Sequence, residues 1–210
     1  MVFAAAPSQN EFLEALLAIP GIPWELVVAM HMDEYIGLPK DSTQRFSVFL
    51  DDRIFSKVKF KQVHRLNSST ADPGAECKRY ARILESNKVD IVCMGVGENG
   101  HIAFNDPPVA DFNDPELVKV VLLERSCREQ QVHDGCFVNL EAVPTHAMTL
   151  TIPALFGAAH LVCVVPGPLK AQAVRAMLRG EISTACPASI LRKHPNARLF
   201  LDGASAALIG

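Results

Sequence analysis

The stretch VDIVCMGVGENGHIAFNDPP, Val89 to Pro108, decides the fold. Its opening run, Val89–Val96, is apolar on both of the faces that a strand would present. Such a run predicts a strand in the middle of a parallel sheet. The run then breaks at Gly95, Gly97 and Gly100, which let the backbone bend closely around a ligand. His101, a proton shuttle near neutral pH, follows at once. Asp106 lies five residues further on, near enough in sequence to fold back to it. In parallel sheets ligands lie beyond the carboxyl ends of the strands. Titratable groups gathered at such an end predict a functional site.

Outward from this strand, short apolar runs alternate with longer amphipathic ones. Strands are expected at Val2–Ala6, Trp24–Met30, Val63–Leu66, Val118–Leu123, Leu161–Val165 and Leu199–Leu201. Helices are expected at Glu11–Ala18, at Ser42–Phe55 capped by Ser42 or Asp41, and at Asp72–Asn87. In the last of these Asp72 is the N-cap and Pro73 the first helical residue. A helical turn is expected at Pro153–Ala158, a helix at Leu169–Arg179 ended by Gly180, and a short helix at Ala188–His194. Strands alternating with helices predict an α/β fold: one domain over residues 1–210, with a mostly parallel, Rossmann-like sheet and helices on both faces. No linker, repeat or low-complexity stretch divides the chain. It begins directly on a strand, so either it is naturally short or an N-terminal helix is missing.

The 210 residues carry a formal charge of -3, which speaks against nucleic acid or an anionic membrane as the main partner. No apolar run approaches membrane-spanning length, and the apolar start Met1–Ala6 lacks the basic flank of a signal peptide. The six cysteines form no Cys-x-x-Cys pair, and Cys93 and Cys163 sit inside apolar runs. They are expected to be reduced core thiols of a cytoplasmic protein.

Two further segments follow predicted strands. The first is His31-Met32-Asp33-Glu34-Tyr35. Adjacent side chains of an extended segment point opposite ways, so only one of Asp33 and Glu34 faces a cleft. His31 and Asp33 lack a third ligand at useful spacing, so no metal is expected. The second is Val165-Pro166-Gly167-Pro168-Leu169-Lys170. A lysine at a helix start opposes the helix dipole unless an anion is present, which favours phosphate binding by Lys170.

At these residues the chain resembles the glucosamine-6-phosphate deaminase/isomerase family. The matching phrases are MDEYIGLP (Met32–Pro39), GVGENGHIAFNDPP (Gly95–Pro108) and TLTIPAL (Thr149–Leu155). Related sugar-phosphate lactonases share the Gly-His pair but usually continue into a Ser-Leu-Phe-Pro-like phrase. Ala103-Phe104-Asn105 favours the deaminase branch. The resemblance implies that the sugar ring opens, a proton moves from C2 to C1, and ammonia leaves C2 to give a ketohexose 6-phosphate. It assigns the C2 base to Asp33, ring opening to His101 with Asn99 and Asp106 beside it, and phosphate binding to Lys170. The loop Ala4–Gln9 aligns with the family's phosphate loop, so Ser8, Gln9 and Gly97 join the expected substrate contacts. No cofactor is implied. The expected partner is a small sugar phosphate, and a homo-oligomer is left open.

The chain departs from the family pattern at four places. Asn99 stands where aspartate is usual, and Asp106 where glutamate is usual. Ala5-Ala6-Pro7 replaces a Thr-Gly phosphate loop. A phosphate-gripping arginine aligns near His133, with Arg128 close by. Two other readings therefore stand beside the deaminase: an isomerase or hydrolase of another sugar phosphate, and a sugar-phosphate sensor whose relay is weakened at Asn99.

Overall fold

The computed structural model describes residues 1–210. Its main sheet contains β1 (Val2–Phe3), β2 (Val28–His31), β4 (Gln62–His64), β5 (Ile91–Met94), β8 (His160–Val165) and β9 (Ala197–Leu201). These six strands run parallel in the order β4-β2-β1-β5-β8-β9. The order is that of a doubly wound sheet, with its topological switch between β1 and β5.

Alternation along the strands builds two cores. Val2, Val92 and Met94 point into one apolar cluster, while Phe3 and Cys93 point into the other. The first core is closed by α3 (Pro73–Ser86), α5 (Ile152–Phe156) and α6 (Ala171–Arg179) through residues such as Tyr80, Leu155 and Val174. The second is closed by α1 (Asn10–Ala18) and α2 (Phe46–Leu50) through Leu13 and Leu50. The fold is thus the expected single-domain α/β fold, with helices on both faces of a mostly parallel sheet.

The sequence did not reveal a second sheet, three antiparallel strands in the order β3-β7-β6. It comprises β3 (Asp33–Tyr35), β7 (His146–Leu150) and β6 (Val118–Leu122). Val118–Leu123 therefore lies outside the parallel sheet, where the alternation of strands and helices had placed it. Asp33 pairs with Thr149 across this sheet. Phe104 N donates to Thr149 Oγ1 at 3.1 Å, and Asn105 Nδ2 donates to Leu150 O at 2.8 Å. The small sheet so ties Asp33 to the loop that carries His101.

Other boundaries move for local reasons. Trp24–Leu26 is a 3-10 turn, closed by Val27 N donating to Trp24 O, and the strand begins only at Val28. The helix expected from Ser42 starts at Phe46, because its first N–H groups are capped by Glu34 rather than by Ser42. It continues as a π-helical turn, Asp51–Phe55. Asp72 does cap α3, its Oδ1 accepting from Ala75 N at 2.9 Å. Pro168–Lys170 is a 3-10 turn ahead of α6, and Pro187–Lys193 is 3-10 throughout. Helix α4 (Arg125–His133) was not anticipated.

Candidate active site

The cleft opens at the switch point. After β1 the chain runs through Ala4, Ala5 and Ala6 into a 3-10 turn, Pro7–Gln9, and then α1. After β5 it turns at Gly95. A Cβ there would stand 3.0 Å from Gln9 Nε2 and 3.6 Å from Ser8 Oγ, so glycine allows the two loops to touch. Gln9 Nε2 donates to Val164 O at 3.1 Å and holds the first loop against β8. Ser8 lines the cleft. Lys170 also lines it, only 7% exposed and without a hydrogen-bond or ion-pair partner. Burial pushes its ammonium below the usual lysine range, while Asp134 and Glu98 pull the other way. An unpaired lysine that shares a cleft with a hydroxyl from the loop leading into α1 makes a place for an anion.

His101 lines the same cleft. Its Nδ1 lies 2.8 Å from Asn99 Oδ1 and 2.9 Å from Asp106 Oδ1. Two acceptors at Nδ1 place the ring proton there and leave Nε2 free as an acceptor. The ring lies so close to Gly97 that a Cβ on Gly97 would fall 2.2 Å from it. Gly97 therefore makes room for the imidazole. Asp106 is 1% exposed. Burial works to raise its pKa, but the hydrogen bond and charge of His101, with donation from Asn99 and Cys127, hold it below the usual carboxylate value. Burial and the Asp106 charge push the Cys127 thiol up, so it stays protonated beside the carboxylate.

Asp33 faces the cleft from the other sheet. Its carboxyl receives no hydrogen bond from the protein, and burial, with the neighbouring Glu34 charge, raises its pKa well above the usual value. Glu34 points the opposite way, as the extended backbone requires. It accepts from Phe46 N at 3.0 Å, Ser47 N at 2.9 Å and Tyr35 N at 3.1 Å. It thus fixes α2, which presents Phe46 to the cleft. His31 Nδ1 lies 2.8 Å from Asp33 O, and its Nε2 accepts from Leu66 N at 2.9 Å. With both ring nitrogens engaged, His31 is a structural bracket for the strand that carries Asp33.

Asp33, Ser8, Gly97, His101 and Lys170 converge on one cleft; Asn99, Asp106 and Gln9 sit directly behind it. Arg128 and His133 do not line it. Arg128 Nη2 donates to the carbonyls of Leu140 and Val143, at 2.6 and 3.0 Å. His133 is 55% exposed and faces Glu98 at 3.6 Å. Helix α4 instead offers Gln130 and Gln131 to the cleft. Gln130 Oε1 accepts from Glu98 N at 2.8 Å, which anchors the glycine loop. Sequence reasoning missed both glutamines because α4 itself went unread.

The model of the glucosamine-6-phosphate isomerase/6-phosphogluconolactonase family matches residues 7–200. The chain belongs to this family. It is 38% identical over 182 residues to glucosamine-6-phosphate deaminases of Bacillus cereus and Bacillus anthracis, covering 87% of this chain and 68% of theirs. The structure of a monomeric glucosamine-6-phosphate deaminase superposes with a TM-score of 0.89 at 28% identity, over 99% of this chain and 87% of the other. A 6-phosphogluconolactonase from Thermotoga maritima shares the fold, with a TM-score of 0.76 at 21% identity. Within the glucosamine-6-phosphate isomerase/6-phosphogluconolactonase family, the 38% identity runs to the deaminases. Ala103-Phe104-Asn105, the phrase expected from the resemblance to favour that branch, is pinned to β7 through Phe104 and Asn105.

Proposed function

We propose that this chain is a deaminating aldose–ketose isomerase converting a hexosamine 6-phosphate, glucosamine 6-phosphate or a close relative, to a ketohexose 6-phosphate and ammonia. One observation carries the reading. A buried carboxylate that receives no hydrogen bond (Asp33) and an oriented imidazole (His101) face one cleft, which an unpaired lysine also lines.

His101 Nε2 takes the proton of the anomeric hydroxyl and returns it to the ring oxygen, opening the ring. As Asp33 removes the C2 proton, a proton passes from the 2-ammonium group to the C1 carbonyl oxygen; Asp33 then delivers its proton to C1, which leaves a C2 iminium. Water then adds at the C2 iminium, and ammonia leaves as the ketone forms. Burial makes Asp33 a stronger base than a solvated carboxylate, which suits a carbon-bound proton. Lys170, Ser8 and the backbone entering α1 hold the phosphate, and binding there orients C1 and C2 at the reacting groups. Arg128 drops out of this set because its side chain does not line the cleft and its Nη2 is bonded to the carbonyls of Leu140 and Val143. His133 is left at the rim.

The setting proposed is cytoplasmic, where buried thiols such as Cys93 and Cys163 stay reduced; no helix is long and apolar enough to cross a membrane. The deciding experiment is ammonia release from a panel of hexosamine 6-phosphates. Release from at least one is the expected result. Tight binding of the panel without any turnover would favour a sensor, and isomerisation without ammonia another sugar-phosphate isomerase.

A further inference from the structure

Asn99 stands where the resemblance led us to expect a carboxylate, and the groups around it fit an amide. Its Oδ1 accepts from His101 N at 3.0 Å and faces His101 Nδ1 at 2.8 Å. Its Nδ2 donates to Asp106 Oδ1 at 2.9 Å, to Glu124 Oε2 at 3.1 Å and to Ser126 Oγ at 3.3 Å. These partners leave no choice of amide orientation. A backbone N–H only donates and an ionised carboxylate only accepts, so the oxygen must face His101 and the nitrogen must face the two acids.

Glu124 is a third carboxylate at this cluster. It is the residue before α4, and Ser126 Oγ donates to the same Oε2 at 2.9 Å. A carboxylate at position 99 would set its oxygen about 3 Å from two other carboxylates, an arrangement in which like charges cannot all ionise.

We propose that Glu124 is a positioning residue of the His101 relay, matched to asparagine at position 99: it holds the Asn99 amide so that the oxygen stays on His101. The proposal rests on the ring-opening role given to His101 above. Glu124 touches neither the ring nor the cleft and acts through Asn99 alone.

The test is a cycle between positions 99 and 124. It is read on glucosamine 6-phosphate and on its 4,5-dideoxy analogue, which has no hydroxyl placed to close a five- or six-membered ring. Glu124→Gln keeps an acceptor oxygen and should change ring-form kcat in the parent by less than about threefold. Glu124→Ala removes the acceptor and should lower it by about tenfold, the scale of one charge-assisted hydrogen bond, with KM and the open-chain rate nearly unchanged. Asn99→Asp should lose more than about tenfold, because it crowds three carboxylates. Adding Glu124→Gln to Asn99→Asp should recover about tenfold, since the new amide donates to the carboxylate introduced at position 99.

The inversion is the signature: the same glutamine is neutral beside asparagine and beneficial beside aspartate. An equal effect of Glu124→Gln in both backgrounds overturns the proposal. So does a loss in Glu124→Ala that is the same on ring and open-chain forms, because that is a general structural defect. Urea unfolding of the parent, the two single variants Asn99→Asp and Glu124→Gln, and their double gives the 99–124 coupling without any turnover. A parent that releases no ammonia from any hexosamine phosphate therefore defeats the functional reading separately, while absent coupling in unfolding defeats this one.

Discussion

Asp33 lies in the cleft with nothing bonded to its carboxyl, and that isolation is what makes it testable. Asp33→Asn keeps the shape and removes the base, so the variant should fold and bind sugar phosphate. Exchange of the C2 hydrogen with deuterated solvent should then fall to background. Exchange persisting at the parent rate would place the base elsewhere. Because burial and Glu34 raise its pKa, the acid limb of the parent's kcat/KM profile should lie above the usual carboxylate range. The relay invites a second comparison. Asp106 supplies the only negative charge directly bonded to His101, whereas Asn99 supplies a neutral acceptor. Asp106→Asn should therefore harm ring opening more than Asn99→Ala, by about tenfold or more, with little effect on the open-chain substrate. Equal damage on both forms would remove Asp106 from the ring-opening step. Asp33, Asn99, His101 and Asp106 were legible because they stand in short phrases after predicted strands. Glu124 and Cys127 were not, because they reach the relay from 25 and 21 residues beyond Asn99 and Asp106 and no local pattern marks them.

Elements position the anion end of the cleft, and here legibility was uneven. The strong apolar run at Val89–Val96 and the capped helix after Asp72 announced themselves, since burial on both faces and a proline-started helix each leave a local trace. The antiparallel sheet left none: β3 is three residues long and reads as the continuation of β2. Helix α4, RSCREQQVH, has too few apolar residues to show a stripe; it is held by buried Cys127 and by Gln130, which is bonded to the glycine loop. The loop after β1 and the turn before α6 were readable as the ends of β1 and β8, and they bring Ser8 and Lys170 to the same cleft, where the phosphate is proposed to bind. Removing a charge-assisted contact costs about 1.5–3 kcal/mol. Lys170→Ala should thus weaken sugar-phosphate binding by about 10–100-fold in calorimetry, while the unphosphorylated sugar is barely affected. Equal losses for both ligands would show that Lys170 does not read the phosphate.

Across the whole molecule, the site leaves a mark on stability that runs opposite to its bracket. Burial pushes His31 from 6.5 down to about 4, the Asp33 carbonyl only partly offsetting it. Between those values the unfolded chain takes up a proton that the folded one refuses. The stability contributed by neutral His31 is complete above pH 6.5 and is lost as pH falls toward 4. At about 1.4 kcal/mol per unit the loss totals roughly 3 kcal/mol. Asp33 has the reverse sign. Its folded pKa lies above the unfolded 3.8, so its contribution is complete below that value and is lost as pH rises through the folded pKa. In mildly acidic solution the two slopes oppose one another, and the parent's stability should change little from this pair. Each substitution should uncover the other group. In Asp33→Asn the climb in unfolding free energy from about pH 4 to 6.5 should steepen. The variant should also exceed the parent at neutral pH, because no charge is buried at position 33. In His31→Gln, whose amide can both donate to Asp33 O and accept from Leu66 N, the climb should flatten or reverse, whatever its absolute stability. Urea unfolding across a fine series of pH values separates these curves. Parallel curves for all three proteins would mean that neither group titrates differently in the folded and unfolded chain, and the basicity assigned to Asp33 would fall with them.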